Sequence, residues 1–313
     1  MAMMELMALL AKIETTYATD IVPTAAANAL LMSNVDWTPL EGEEVRRTRV
    51  LPYFGNDQVM SISPRSRLRG GIDFVSSGAA VDLPPAWSPL LRGCGLAQVI
   101  TTGVSVAFNP VSAGFESASL YHFVDGTRQR GLGARGDWGF ELRAKAIPRL
   151  TVDMMALYDA PTGVALPIPV LTSWPDPQPL QNGITTISVT PGPLSNLRLS
   201  AFTYANGATL AFRELTNFRG VIISGRRPTA TLVVEAPDGV ATNLFALVGS
   251  IITVTATHQH GAAPAGTTVE AMVRARVLPN IRYSNEEGVV MATMNLSPEP
   301  SAAGNDEVRL TTR

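Results

Sequence analysis

Residues 40–75 constrain this chain more than any other stretch. Leu40-Glu41-Gly42-Glu43 reads as a turn, and Glu43-Glu44-Val45-Arg46-Arg47-Thr48-Arg49 as a charged arm. Pro52-Tyr53-Phe54-Gly55-Asn56 is an irregular tip. Gly71-Ile72-Asp73-Phe74-Val75 alternates as a strand that returns. A related pattern comes back further along the chain. The segment therefore reads as the unit of an assembling β protein and not as a catalytic site.

Composition agrees with assembly without proving it. The 313 residues are 46% hydrophobic, enough to build a core without staples. Only 16% are charged, against roughly 25% in ordinary soluble domains. That deficit fits a surface covered by neighbours, and equally an Ala-, Gly- and Thr-rich β protein. A net charge of −2 gives no basic field for holding nucleic acid. The single cysteine, Cys94, rules out an internal disulfide framework and reads as a small buried residue. Residues 1–10 are apolar but lack a basic n-region, and their uncharged run is too short to span a bilayer. No transmembrane segment is expected elsewhere, so a cytoplasmic product is the default.

Along the chain, residues 1–30 read as an N-terminal arm. From residue 11 it is polar and extended, without the apolar periodicity of a core element. Alternation begins near Leu31. Pro85-Ala86-Trp87-Ser88-Pro89-Leu90-Leu91-Arg92-Gly93 is a short helix that Gly93 or Gly95 can end. Asp125-Gly126 between alternating segments predicts a hairpin. Six prolines between Pro161 and Pro179 block helix and central strand, which places a linker over 161–190. The expected organisation is therefore an arm (1–30), one domain (31–160), a Pro-rich linker (161–190) and a second domain (191–313).

The second half echoes the first. Asn206-Gly207 follows Asp125-Gly126 by 81 residues (206 − 125), and Pro228 follows Pro148 by 80 (228 − 148). On a larger scale, the order of turn, arm, return strand and short helix recurs. It runs through Glu41-Gly42, Arg46 to Arg49, Asp73 and Trp87 to Leu91. It returns through Asn206-Gly207, Arg213 to Arg219, Glu235 and Thr242 to Gly249. Two tandem, diverged copies of one β domain are expected. The last residues, Glu307 to Arg313, alternate like an edge strand suited to pairing with a neighbouring sheet.

No catalytic motif stands out. His258 and His260 flank Gln259, but no Cys or acidic partner sits close enough in sequence to complete a metal site. Gly131-Leu132-Gly133-Ala134-Arg135-Gly136 matches a nucleotide fingerprint on paper, yet it lies between strands rather than between strand and helix. There is neither a nucleophile elbow nor a Walker motif. No cofactor, metal or catalytic residue is expected.

With these residues in view, the chain resembles the tail tube proteins (major tail proteins) of bacteriophages with long, non-contractile tails. The likeness is carried by residues 10–20, Pro39-Leu40-Glu41-Gly42, Leu51-Pro52-Tyr53-Phe54-Gly55-Asn56 and residues 85–95. It continues in Gly114-Phe115-Glu116-Ser117, Gly288-Val289-Val290-Met291 and Gly304-Asn305-Asp306-Glu307. The resemblance implies an all-β fold with short helices. Two tandem tube-type β-sandwich domains would join their inner sheets into a ring-shaped barrel around a lumen. Two such domains per chain make a trimer, with pseudo-sixfold symmetry, the preferred ring over a hexamer.

The implied partners are further copies in stacked rings, other tail proteins (tape measure, distal tail protein, terminator), and DNA passing without specific binding. No membrane is involved, and the implied location is the tail of the virion. By analogy and by poor fit to a core, Lys12, Glu14, Tyr17, Arg46, Arg47, Arg49, Tyr53, Phe54, Arg65 and Arg67 are assigned to contacts between rings or subunits. Alternation points Asp73, Asp153 and Glu235 away from the core, to the lumen that the resemblance implies or to plain solvent. Other readings are a tube of a contractile tail or secretion system, a two-domain β-sandwich that binds carbohydrate, or an enzyme.

Overall fold

The structure, a computed structural model, describes residues 6–191, 197–236, 244–260 and 266–313. The first half holds β1 (Met7–Ile13), β2 (Ala29–Leu30), β3 (Ser33–Arg47), β4 (Gln58–Asp73), α1 (Ser88–Gly93), β5 (Leu96–Thr101), β6 (Ser105–Pro110), β7 (Ala118–Val124), β8 (Thr127–Arg143), β9 (Arg149–Tyr158) and β10 (Thr162–Gly163). The second half begins with β11 (Thr185–Thr190), β12 (Leu199–Ala205), β13 (Ala208–Leu215), β14 (Phe218–Arg226) and β15 (Thr229–Glu235). A 3-10 turn (Leu244–Leu247) leads to β16 (Ile251–Gln259), β17 (Thr268–Val277), β18 (Arg282–Glu286), β19 (Val289–Pro298) and β20 (Val308–Thr312). The protein is nearly all β, and every pairing between these strands is antiparallel.

One run of neighbours organises the rest. β3 pairs with β4, β4 with β9, and β9 with β8. The C-terminal part of β8 pairs with β12, β12 with β15, β15 with β19, and β19 with β18. This is an open, eight-stranded sheet crossing both halves of the chain. A second set of strands lies across the core: β2, β1 and β7 beside the N-terminal part of β8, and β5, β6, β20, β17, β16 and β11 in order. Both sets feed one apolar cluster. Ile72, Val152, Phe140, Phe202, Leu232 and Met294 come from the first, and Leu9, Phe108, Leu120, Val254, Val273 and Leu310 from the second. α1 fills the space between them with Trp87, Leu90 and Leu91, all fully buried.

The two halves pair their strands in the same order. β4 lies between β3 and β9, with β8 and β9 forming a hairpin. β15 lies between β12 and β19, with β18 and β19 forming a hairpin. A short helical element follows the return strand each time, α1 after β4 and the 3-10 turn after β15; Thr242 and Asn243 of the expected second helix lie outside the described residues. The recurrence of return strand and short helix thus coincides with strand order, whereas the turn and arm of the echo and the 80-residue offset do not. Asp125-Gly126 closes the β7–β8 hairpin with φ of 24° and 81°. Asn206-Gly207 instead joins β12 to β13, which do not pair. It is a corner from which the β13–β14 hairpin leaves the sheet.

Four local expectations differ from the structure. Glu41-Gly42 is not a turn: both residues lie inside β3, at register shifts of its ladder with β4, and the chain reverses only over residues 48–57. Residues 7–13 are a full strand rather than a loose arm, paired with β7 along its length. Leu9 and Ala11 face the main core while Ala8 and Leu10 face a second cluster with Tyr121 and Phe123. A strand buried on both faces shows no period-two alternation, which is why it does not look like a core element in sequence. The Pro-rich window is fastened: Trp174 donates its indole N–H to the Ala29 carbonyl, Val170 N–H bonds Ala25, Leu180 is buried, and β11 pairs with β16. β20 is not an edge, because it lies between β6 and β17.

Candidate assembly surfaces

The alternation of the eight-stranded sheet sorts its side chains. Ile72, Val152, Met154, Leu232 and Val234 are buried, while Asp73, Asp153 and Glu235 sit half-exposed on the opposite face. That face also carries arginines: Arg67, assigned from sequence to contacts between rings or subunits, and Arg69, Arg149 and Arg198, which the sequence reading does not single out. Arg67 grips Asp153 through two hydrogen bonds of 2.6 Å, and Arg69 adds one at 3.2 Å. Arg149 approaches Asp73 at 3.9 Å, and Arg198 holds Glu235 at 2.7 and 2.9 Å. Burial alone would raise the Asp153 pKa, but the hydrogen bonds and charges of Arg67 and Arg69 win and hold it below the usual carboxylate range. Burial pushes Asp73 up, against the pull of the more distant Arg149. The face is charge-balanced rather than acidic. The register that sets these carboxylates beside arginines on the next strand is invisible until the strands are paired.

The arm formed by the far ends of β3 and β4 stands clear of the molecule. Residues 42–56 and 58–62 are all exposed. Tyr53 and Phe54 at the tip are 67% and 107% exposed, and Val45, Val50, Val59, Met60 and Ile62 are uncovered along it. Arg46 and Arg47 are exposed here too, and Arg49 reaches only Gln58, at 3.3 Å. Among the described residues no other stretch exposes so much apolar surface, a feature shared by protein-binding, membrane-binding and ligand-binding surfaces.

The other five assigned residues are engaged within their own subunit. Glu14 is buried; its carboxylate accepts hydrogen bonds from Ser117 Oγ, Ser119 Oγ and the N–H groups of Gly133 and Ala18. Tyr17 accepts the Val221 N–H at 2.6 Å, lies under the Arg135 guanidinium at 4.6 Å, and has its pKa raised chiefly by burial. Lys12 donates to the Ile21 carbonyl at 3.4 Å. Arg65 pairs with Glu41 and Glu43, and Arg67 with Asp153. Glu14 and Tyr17 thereby clamp the N-terminal segment onto β8 and the folded-down β13–β14 hairpin.

The remaining polar candidates have structural partners. His258 donates from Nε2 to the Gln178 carbonyl at 3.1 Å and accepts the Thr185 hydroxyl on Nδ1 at 2.8 Å. His260 donates from Nε2 to the Phe74 carbonyl at 2.9 Å, and its ring lies 4.5 Å from that of His258. His122 stacks on Trp37 at 5.3 Å. Cys94 is buried, with its thiol pushed well up by burial. Among the described residues no cluster of three or more His, Cys, Asp or Glu is placed to hold a metal, and no helix is long and apolar enough to cross a membrane. Gly131 to Gly136 lie inside β8, where Gly133 has a φ of 62° beside a bulge. A groove of about 590 Å³ is lined by Leu180, Thr185, Ile187, Leu197 and Leu199 among others, with no aromatic side chain for stacking a sugar. No protein-family model and no curated protein matches this chain.

Proposed function

We propose that the chain is a structural subunit of a tail tube of the long, non-contractile phage type, polymerising as stacked rings around a lumen that conducts DNA. One observation carries this reading. Two halves with the same strand order are joined edge to edge by β8 and β12, over Arg143↔Ala201 to Gly139↔Ala205. A chain that already continues one four-stranded unit into the next is built to continue again. Three chains would supply six such units, enough to close a ring with a trimer as the building block. Heterologous edge contacts of this sort generate rings when the rotation closes.

The exposed arm supports stacking. Its apolar tip and the Arg46, Arg47 and Arg49 cations are available to a neighbouring ring or subunit. The face bearing Asp73, Asp153 and Glu235 would line the lumen. There each carboxylate beside an arginine competes with a phosphate for that cation, which limits the counterion release that drives DNA binding. DNA would pass without being held. Tape-measure, distal-tail and terminator proteins are the partners this role calls for, within the virion tail.

Electron microscopy of negatively stained protein at rising concentration, with native mass measurement, tests the reading. Rings or tubes containing three chains per ring are the expected result. Six chains per ring would keep the tube and discard the two-unit chain. A protein that stays monomeric at every concentration, with or without a tail-tip initiator complex, overturns the proposal.

A further inference from the structure

The β8–β12 junction specifies how one unit meets the next, and the two ends of the eight-stranded sheet repeat its two sides. β18 forms a hairpin with β19 as β8 does with β9. β3 pairs with β4 as β12 pairs with β15. Among the described residues β18 has no strand neighbour besides β19, and β3 none besides β4. We infer that β18 of one copy pairs antiparallel with β3 of a second copy, repeating between chains the junction that β8 and β12 make within one. The inference rests on the assembly reading above and names its two edges.

Surface chemistry at the edges fits. At the internal junction Phe140 and Tyr204 stack at 5.4 Å and are buried. At the β18 edge, Tyr283 is 58% exposed and meets Phe245 edge-on at 6.0 Å, with Val289 and Val290 uncovered beside them. At the β3 edge, Leu31 and Leu40 are uncovered. β3 carries Asp36, Glu41, Glu43 and Glu44 ahead of Arg46 and Arg47, whereas β18 begins with the exposed Arg282 and ends with Glu286. Two β3 edges facing each other would set like charges opposite, which destabilises a sheet pair. Pairing with β18 brings one acid, Glu286, and the cation Arg282 to that edge in place of a second acidic run, and Arg282 lies beside Asp36 or Glu41; the contact is heterologous and can propagate around a ring.

Disulfide trapping tests this. Ser284 lies opposite Met291, and Met291 opposite Glu235, so Ser284 is on the Glu235 face. Asp36 and Thr38 lie opposite Arg69 and Arg67 on the same face, whereas Trp37 lies opposite the buried Leu68. Directly opposite residues share a face, with Cβ atoms about 4.5–5.5 Å apart. Ser284→Cys combined with Asp36→Cys or with Thr38→Cys should give interchain disulfides, seen as linked dimers and trimers on a non-reducing gel. Ser284→Cys with Trp37→Cys should not. Tyr283→Lys should lower the monomer's melting temperature only slightly, through loss of the Phe245 contact, and raise the concentration needed for assembly at least tenfold.

Rings by microscopy without a disulfide at either same-face pair overturn the inference and leave the tube reading standing. Disulfide-linked chains without rings support the edge pairing and overturn the tube. Neither rings nor disulfides overturn both.

Discussion

Glu14 and Glu307 are both buried carboxylates, met in different ways. Glu14 is ringed by neutral donors, and Glu307 is paired with Arg226 at 2.6 Å. Removing an acceptor that serves several buried donors leaves each of them unsatisfied. Glu14→Ala should therefore cost about 3 kcal/mol in urea unfolding. The histidine pair gives a pH signature. His260 is held down to about 4, first by burial and then by the neighbouring His258, against the hydrogen bond to Phe74. His258 is lowered chiefly by burial. Both imidazoles are thus neutral when folded, and the unfolded chain binds the extra protons. The stability His260 confers is complete above the unfolded value of about 6.5 and is lost as pH falls toward 4, by up to about 1.4 kcal/mol per pH unit, and the lowered His258 contributes a loss of the same sign below about 6.5. Urea midpoints measured between pH 7.5 and 4.5 should fall over that window, and less steeply in His260→Gln. A flat profile would rule out the neutral pair. The types of these residues were plain in sequence, but their partners were not, because Gln178, Thr185 and Phe74 reach His258 and His260 only through the fold.

At the scale of elements, the signals that were read correctly are local ones. Asp125-Gly126 makes a hairpin because both residues accept positive φ and the flanking strands alternate. Trp87, Leu90 and Leu91 share one face of α1, with Gly95 at φ 86° just beyond its end. Asn206-Gly207 carries nearly the same turn signal and does something else. Gly207 has φ 62°, and a Cβ there would lie 2.5 Å from the Arg227 carbonyl oxygen, so the corner is closed against any side chain. Gly126 has φ 81° with open space around it. Gly207→Ala should accordingly lower stability by about 3 kcal/mol and Gly126→Ala by about 1 kcal/mol, read from thermal melts. Equal losses would show that backbone angle alone, not the close approach, makes Gly207 necessary. β1 escaped the alternation test because it is buried on both faces. β20 looked like an edge because a short alternating strand reads the same whether it has one neighbour or two.

For the whole molecule, β20 ties the two halves together. It pairs with β6 from the first half and β17 from the second, and Glu307 just before it binds Arg226 at the root of the β13–β14 hairpin. A chain ending at Asp306 should lose more than about 5 kcal/mol, comparable to the total stability of an ordinary domain. It should then show no cooperative melt. A sharp transition near that of the full chain would mean that each half is stable without the stitch.

What the sequence determined by itself was the β class, a long hairpin within residues 40–75 but not the place of its turn, the recurrence of a return strand followed by a short helical element, and the side of each strand on which Asp73, Asp153 and Glu235 lie. These follow from period-two alternation and turn chemistry, which act between residues close in the chain. What only the tertiary structure decided was which strands become neighbours. β8 beside β12 turns two halves into one sheet, β4 beside β9 sets Arg67 and Arg69 against Asp153, and β6 beside β20 makes the last strand internal. Pairing partners are chosen by the burial of a shared core and by register across long separations, and neither is written in the spacing of residues along a single strand.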